Sequence, residues 1–118
     1  LRVAGAYHSP LMESATRKLQ PWLAELAISP PRLPFFANYS GTRVDDPEEI
    51  REGLLRQIEN SVRWEQCVRG VLGLDCSTAL ELGPGKVLRG HVRKIDREAV
   101  VESIGTLESL DNLEGVPV

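Results

Sequence analysis

The sequence predicts an α/β fold, a mostly parallel sheet flanked by helices, and a fragment of such a fold rather than the whole. Three observations carry this. Strand-like runs are separated by helical segments, so the connections are crossovers and the sheet is largely parallel. Only three or so strand candidates occur in 118 residues, a thin sheet for a class that needs helices on both faces. The chain opens on Leu1 within a Leu-Arg-Val-Ala run that reads like the end of a strand, as a piece of something longer would.

The elements follow in order. Ser9 is a candidate N-cap and Pro10 suits the first helical position, where its missing N–H costs nothing. From Pro10 to about residue 28, Leu11, Ala15, Leu19, Trp22, Leu23 and Leu26 recur at helical spacing. Pro21 is expected to bend or restart this helix. After the Ser29-Pro30-Pro31 breaker, Leu33 to Tyr39 is a short β-prone run closed by the Ser40-Gly41 turn. Asp46, Pro47 and Glu49 form a capping-box start for a helix through about Glu59, with Ile50, Leu54, Leu55 and Ile58 as its apolar stripe.

Asn60-Ser61 breaks that helix. A third helix carries Trp64, Cys67, Val68, Val71 and Leu72 on one face. Thr78 to Leu82 is a short buried strand. Gly83-Pro84-Gly85 then turns into a fourth helix bearing Val87, Leu88, Val92 and Ile95. Ala99 to Ile104 is the last strand, and Thr106 caps a short helix bearing Leu107, Leu110 and Leu113.

Composition narrows the function classes. At 42% hydrophobic and 26% charged, the chain has the make-up of a soluble globular domain. Its net charge of −3 comes from intermixed residues with no Lys/Arg block, which argues against nucleic-acid and membrane partners. Cys67 and Cys76 fit no zinc or thioredoxin spacing. Cys67 reads as a buried reduced thiol, with a reactive one as the alternative. Few cysteines, and neither a signal peptide nor a membrane span, point to the cytoplasm.

His8 is the sharpest site candidate. It stands between a strand end and a helix start, where the loops of an α/β sheet build active sites. The positive end of the following helix disfavours an imidazolium there, leaving the ring available as a base. The plainer alternative is a loop histidine bonded to backbone. No Gly-x-Ser-x-Gly occurs in the chain, so the base lacks its obvious nucleophile. His91, inside the fourth helix beside Arg89, Arg93 and Lys94, reads as a surface or half-buried residue.

The remaining motifs each have a bland reading. Gly83-Pro84-Gly85-Lys86 lacks the Walker spacing, and Val87 stands where a Ser or Thr is needed. Its glycines permit a tight strand-to-helix turn, and the helix end beyond them is open to an anionic ligand as the alternative. Asp45, Asp46, Glu48 and Glu49 suggest a metal site less than they suggest capping. Arg89, Arg93, Lys94 and Arg97 read as a solvated face, with an acidic partner as the alternative. Gln57 is unremarkable by pattern.

Taken together, Val3 to Met12, Phe35 to Gly41, Arg56 to Trp64 and Glu81 to Leu88 resemble segments of malonyl-CoA:acyl carrier protein transacylases and of the related acyltransferase domains of polyketide and fatty-acid synthases. Val3 to Met12 resembles the family's histidine motif, and Phe35 to Gly41 its next strand and turn. Arg56 to Trp64 resembles its "RQL…NPVRW" segment, and Glu81 to Leu88 its "E-(V/L)-G-P-G-K-V-L" segment. The four matches come in the family's order over residues 3–95.

The resemblance implies that residues 1–118 are the C-terminal part of a large α/β-hydrolase-like domain. The catalytic-serine part and a ferredoxin-like subdomain would lie in the remainder of the same enzyme. It implies malonyl transfer from malonyl-CoA to the phosphopantetheine thiol of acyl carrier protein through an acyl-serine, in fatty acid biosynthesis. His8 would be the base, and a backbone carbonyl at Gln57 would orient it. Tyr7 stands where malonyl-selective relatives carry Phe, and its bulk would contribute to substrate choice. Neither a metal nor a resident cofactor is implied. Ser61 replaces the family's common Pro. The alternatives are a polyketide-synthase acyltransferase domain and a non-catalytic module that binds carrier protein. Alone, the chain is expected to be inactive and to expose unusual apolar surface or pair with another chain.

Overall fold

The computed structural model describes residues 5–112, and these contain five α-helices and four short strands. The run at residues 1–4 and Leu113 lie outside the described residues. The chain divides into two compact units, Leu1–Gly70 and Val71–Val118.

The first unit begins with a single 3-10 turn, Pro10–Met12, that leads into α1 (Glu13–Glu25). Ser9 does not cap it through its side chain, as the sequence suggested; the hydroxyl instead donates to the Ala6 carbonyl at 2.6 Å. Pro21 lies inside α1 and does not restart it. A proline there removes one helical donor, so the Arg17 carbonyl goes without its usual partner. Of the apolar stripe on α1, Leu23 is buried, whereas Trp22 is 75% exposed.

The β-prone run yields only β1 (Phe36–Ala37). It pairs antiparallel with β2 (Thr42–Arg43) through Phe36↔Arg43 and Ala37↔Thr42. This corrects the expectation of a mostly parallel sheet. The Ser40-Gly41 turn closes a hairpin, with Gly41 at φ +72° and Gly41 N–H donating to the Ala37 carbonyl. A short four-residue loop, Asn38 to Gly41, with a left-handed position favours a tight antiparallel return over a crossover. Leu33, expected in this strand, is outside it and 79% exposed.

α2 (Pro47–Gln57) starts where expected. Asp46 accepts from the backbone N–H groups of Glu48 and Glu49 at 3.0 and 2.9 Å, filling two otherwise orphaned donors. Within the acidic run Asp46 is thus used as a cap, while Asp45 pairs with Arg43 and Glu48 with Arg51. Among the described residues no cluster of His, Cys, Asp and Glu is suited to hold a metal. α3 (Trp64–Leu72) buries Cys67 and Val68, which join Leu23 and Val44 as the unit's buried apolar residues.

In the second unit, β3 (Ala79–Leu82) and β4 (Val101–Ile104) pair in parallel, Ala79↔Val101 through Leu82↔Ile104, with α4 (Val87–Ile95) as the crossover. Strand alternation places Ala79, Glu81, Val101 and Ser103 on one face. Val101 and Glu81 are buried there and Val92 of α4 is buried as well, while Leu80 and Leu82 on the opposite face are exposed. α5 (Leu107–Asp111) is closed by a reciprocal box between Thr106 and Ser109. Among the described residues no helix is long and apolar enough to cross a membrane.

Candidate functional site

His8 sits in the tight turn before Pro10 with φ +58°, the left-handed region that non-glycine residues seldom occupy. Holding a histidine there costs free energy, and such conformations persist where surrounding contacts over-determine them. The contact is clear. Nδ1 of His8 lies 2.8 Å from the main-chain carbonyl oxygen of Gln57, 49 residues away in sequence.

A carbonyl oxygen only accepts, so this bond requires the proton on Nδ1. In the neutral ring Nε2 then carries the lone pair and is the proton acceptor. The sequence placed His8 under the influence of the helix that follows it. The ring is instead oriented by the opposite kind of helix end, the carbonyl terminus of α2, where unsatisfied oxygens carry partial negative charge.

That terminus is built by local bonds. Nδ2 of Asn60 donates to the Arg56 carbonyl at 2.7 Å, and Nε2 of Gln57 donates to the Asn60 carbonyl at 2.9 Å. The second bond fixes the Gln57 amide orientation, because a flipped amide would set two oxygens against each other. It also makes the 3.4 Å approach of Gln57 Nε2 to His8 Nδ1 a contact of two donors. Upstream, the Arg56 guanidinium donates to the Tyr39 hydroxyl at 3.0 Å, lies over the Tyr39 ring and pairs with Glu52. α2 is thereby tied to the loop after β1.

The other predicted residues fall differently. Tyr7 is 62% exposed, and its ring lies against Gly5. An open cavity of ≈ 270 Å³ is lined by Phe35, Phe36, Ile50, Leu54 and Gln57, so Gln57 borders an apolar space that does not include Tyr7 or His8. His8 itself is solvent-exposed. Among the described residues no hydroxyl or thiol is bonded to its ring, so the geometry joins an imidazole to a main-chain carbonyl with no nucleophile beside them. His91 is exposed on α4. Cys67 is buried with its thiol toward the Ala37 carbonyl at 3.5 Å, and burial pushes it above the ordinary thiol range; Cys76 is exposed.

The Gly83-Pro84-Gly85 turn has a resident anion. The Glu81 carboxylate accepts from Leu88 N–H at 2.9 Å, Arg89 N–H at 3.2 Å and the Ser103 hydroxyl at 3.0 Å. The amide end of α4 is therefore filled by the protein's own side chain, which answers the anionic-ligand alternative. Gly83 and Gly85, at φ +125° and +101°, supply the backbone that folds α4 back over Glu81. Burial opposes ionisation of Glu81, but the bonds from Leu88, Arg89 and Ser103, with the Arg89 charge, outweigh it and hold the carboxyl below its ordinary range.

Sequence reasoning missed Glu81 and Asn60. The signal for Glu81 was a carboxylate two residues before a Gly-Pro-Gly turn into a helix. Asn60 was legible only as a helix breaker.

No family model matches the chain. Over 111 residues it is 32% identical to the malonyl CoA-acyl carrier protein transacylase of Bacillus subtilis, covering 94% of the chain and 35% of that protein. Over 95 residues it is 37% identical to the polyketide biosynthesis protein ThaF of Burkholderia thailandensis, covering 80% of the chain and 8% of that protein. The crystal structure of an acyl-carrier-protein S-malonyltransferase from Burkholderia pseudomallei superposes with a TM-score of 0.86 at 34% identity, over 98% of the chain and 38% of that structure. A malonyl-transacylase in complex with a type II PKS acyl-carrier protein gives 0.85 at 30% identity, over 98% of the chain and 38% of that protein. The chain thus spans 35% to 38% of the length of these three transacylases.

Proposed function

We infer that the chain belongs to the malonyl-CoA:acyl carrier protein transacylase family, and from that premise we propose that it supplies the base of a malonyl transfer whose nucleophile comes from the remainder of the enzyme. Residues 1–118 are then the C-terminal part of a large α/β-hydrolase-like domain. The thin core supports this reading. Leu11 and Leu82, at 80% and 75% exposed, are apolar surfaces that a complete domain would cover.

One observation carries the chemistry: the 2.8 Å approach of His8 Nδ1 to the Gln57 carbonyl. With Nδ1 holding its proton there, Nε2 takes the proton of a serine hydroxyl as that oxygen attacks the malonyl thioester carbon. The carbon–sulfur bond breaks, and the departing CoA sulfur takes the proton back from Nε2. The phosphopantetheine thiol of acyl carrier protein then gives its proton to Nε2 and attacks the malonyl-serine ester. The serine oxygen leaves and recovers the proton. His8 ends each half-reaction as it began, and no oxidant, metal or resident cofactor enters the balance. The Gln57 carbonyl does the work an aspartate does in other triads, with a partial rather than a full charge.

Tyr7 is proposed to border the acyl site, its bulk favouring malonyl over branched units. Cytoplasmic fatty acid biosynthesis is the setting proposed. A second reading, the acyltransferase of a polyketide synthase, is favoured by the likeness to ThaF and uses the same chemistry.

The test is a pair of incubations with labelled malonyl-CoA. The complete enzyme is expected to form an ester-linked malonyl adduct and pass it to acyl carrier protein, whereas this chain alone forms none. A stable adduct on this chain by itself would overturn the reading.

A further inference from the structure

We propose that Asn60 is a positioning residue for His8: it aims the Gln57 carbonyl and thereby sets which ring nitrogen carries the proton. The inference rests on the base assignment above. It concerns a residue with no hydrogen bond to the ring.

The last turn of α2 leaves carbonyls without helical donors. Ile58 N–H returns to the Leu55 carbonyl and Glu59 N–H to that of Arg56, both at 3.3 Å, long bonds that hold the turn loosely. The short bond there is from Asn60 Nδ2 to the Arg56 oxygen at 2.7 Å. Asn60 is held in turn through its own carbonyl, which accepts from Gln57 Nε2 at 2.9 Å. The two side chains clasp the turn from both ends, Asn60 onto the Arg56 oxygen and Gln57 onto the Asn60 oxygen.

The clasp has a directional consequence. By satisfying the Arg56 oxygen it closes the helix one carbonyl early. Among the described residues no backbone N–H reaches the Gln57 oxygen, which is left pointing at His8. The clasp also orients the Gln57 amide so that its nitrogen, not its oxygen, faces the ring, and the side chain does not compete as an acceptor for the Nδ1 proton. Without it the end of α2 is free to fray, and the ring is free to take the Nε2–H form that unconstrained imidazoles favour. That form has no lone pair where the serine proton must go.

The experiment is ¹⁵N NMR of the imidazole rings in this chain at about pH 9, where ordinary histidines are neutral. His91, exposed on the other unit, is the internal reference. In the unsubstituted chain His8 is expected to be in the Nδ1–H form. Asn60→Asp keeps the size and main chain but loses the donor. It is expected to shift the His8 tautomer ratio about fivefold toward Nε2–H, the equivalent of one ordinary hydrogen bond, with His91 and the backbone spectrum unchanged. Gln57→Met opens the clasp from its other side, keeps the carbonyl, and should shift the ratio in the same direction.

An unchanged ratio in both variants overturns the role of Asn60 while leaving His8 as base. Nε2–H in the unsubstituted chain overturns the base assignment itself.

Discussion

The Gln57 main-chain oxygen and the His8 imidazole meet at 2.8 Å although α1 and the β1–β2 hairpin intervene in sequence. The acceptor is a peptide group, so substitution cannot delete it. Gln57→Ala removes only the bond to Asn60, worth about 1 kcal/mol. We expect transfer by the complete enzyme to fall no more than about tenfold, far less than on loss of the imidazole. Steady-state kinetics of the variant against the parent enzyme checks this.

Two glycines of the first unit should respond oppositely to alanine. Gly53, mid-α2, has no atom within 4 Å of an added Cβ, so Gly53→Ala should stabilise by about 0.5–1 kcal/mol. At Gly41 the Cβ would lie 2.7 Å from the Gln66 Cβ, on a backbone at φ +72°. Gly41→Ala should destabilise by about 1–3 kcal/mol. Urea unfolding of the two variants side by side reads both signs.

Glu81 gives the second unit a pH dependence of defined sign. Its folded carboxyl is held below the ordinary range. The stabilisation is therefore complete above the unfolded glutamate value and is lost as pH falls through the lower folded one. Thermal melts of the parent chain should drop across that acid window. Glu81→Gln should melt lower than the parent at neutral pH, with the difference closing as the solution is acidified.

The cysteines should separate by reactivity. Cys76 is exposed, whereas Cys67 is buried and its thiol is pushed up by that burial, leaving little thiolate to react. A chromogenic disulfide reagent should titrate Cys76 promptly in the native chain and reach Cys67 only after unfolding. Prompt reaction of both would mean the α3 face is open.

What was legible in the sequence was what local chemistry decides. The Asp46 cap and the Pro47 start of α2 needed only neighbouring residues, and so did the strands at 79–82 and 101–104. β2 was not legible, since two residues carry no period and Thr42 and Arg43 are both exposed. Pro21 read as a bend or a restart because a missing donor costs free energy, and α1 continues through it without restarting. Glu81 read as one more strand residue, because its role depends on a turn that brings Leu88 and Arg89 back over it. For the site, the spacing around His8 suggested a base, but no pattern in the chain connects residue 8 to residue 57. That link came from family resemblance, and Asn60, which holds the link's far end, came only from coordinates.

The measurement closest to the central claim is malonyl transfer by the complete enzyme carrying His8→Ala, with adduct formation followed separately from transfer to acyl carrier protein. A drop on the order of a hundredfold or more in both steps is expected, as for loss of a general base. Turnover near that of the parent enzyme would contradict the account.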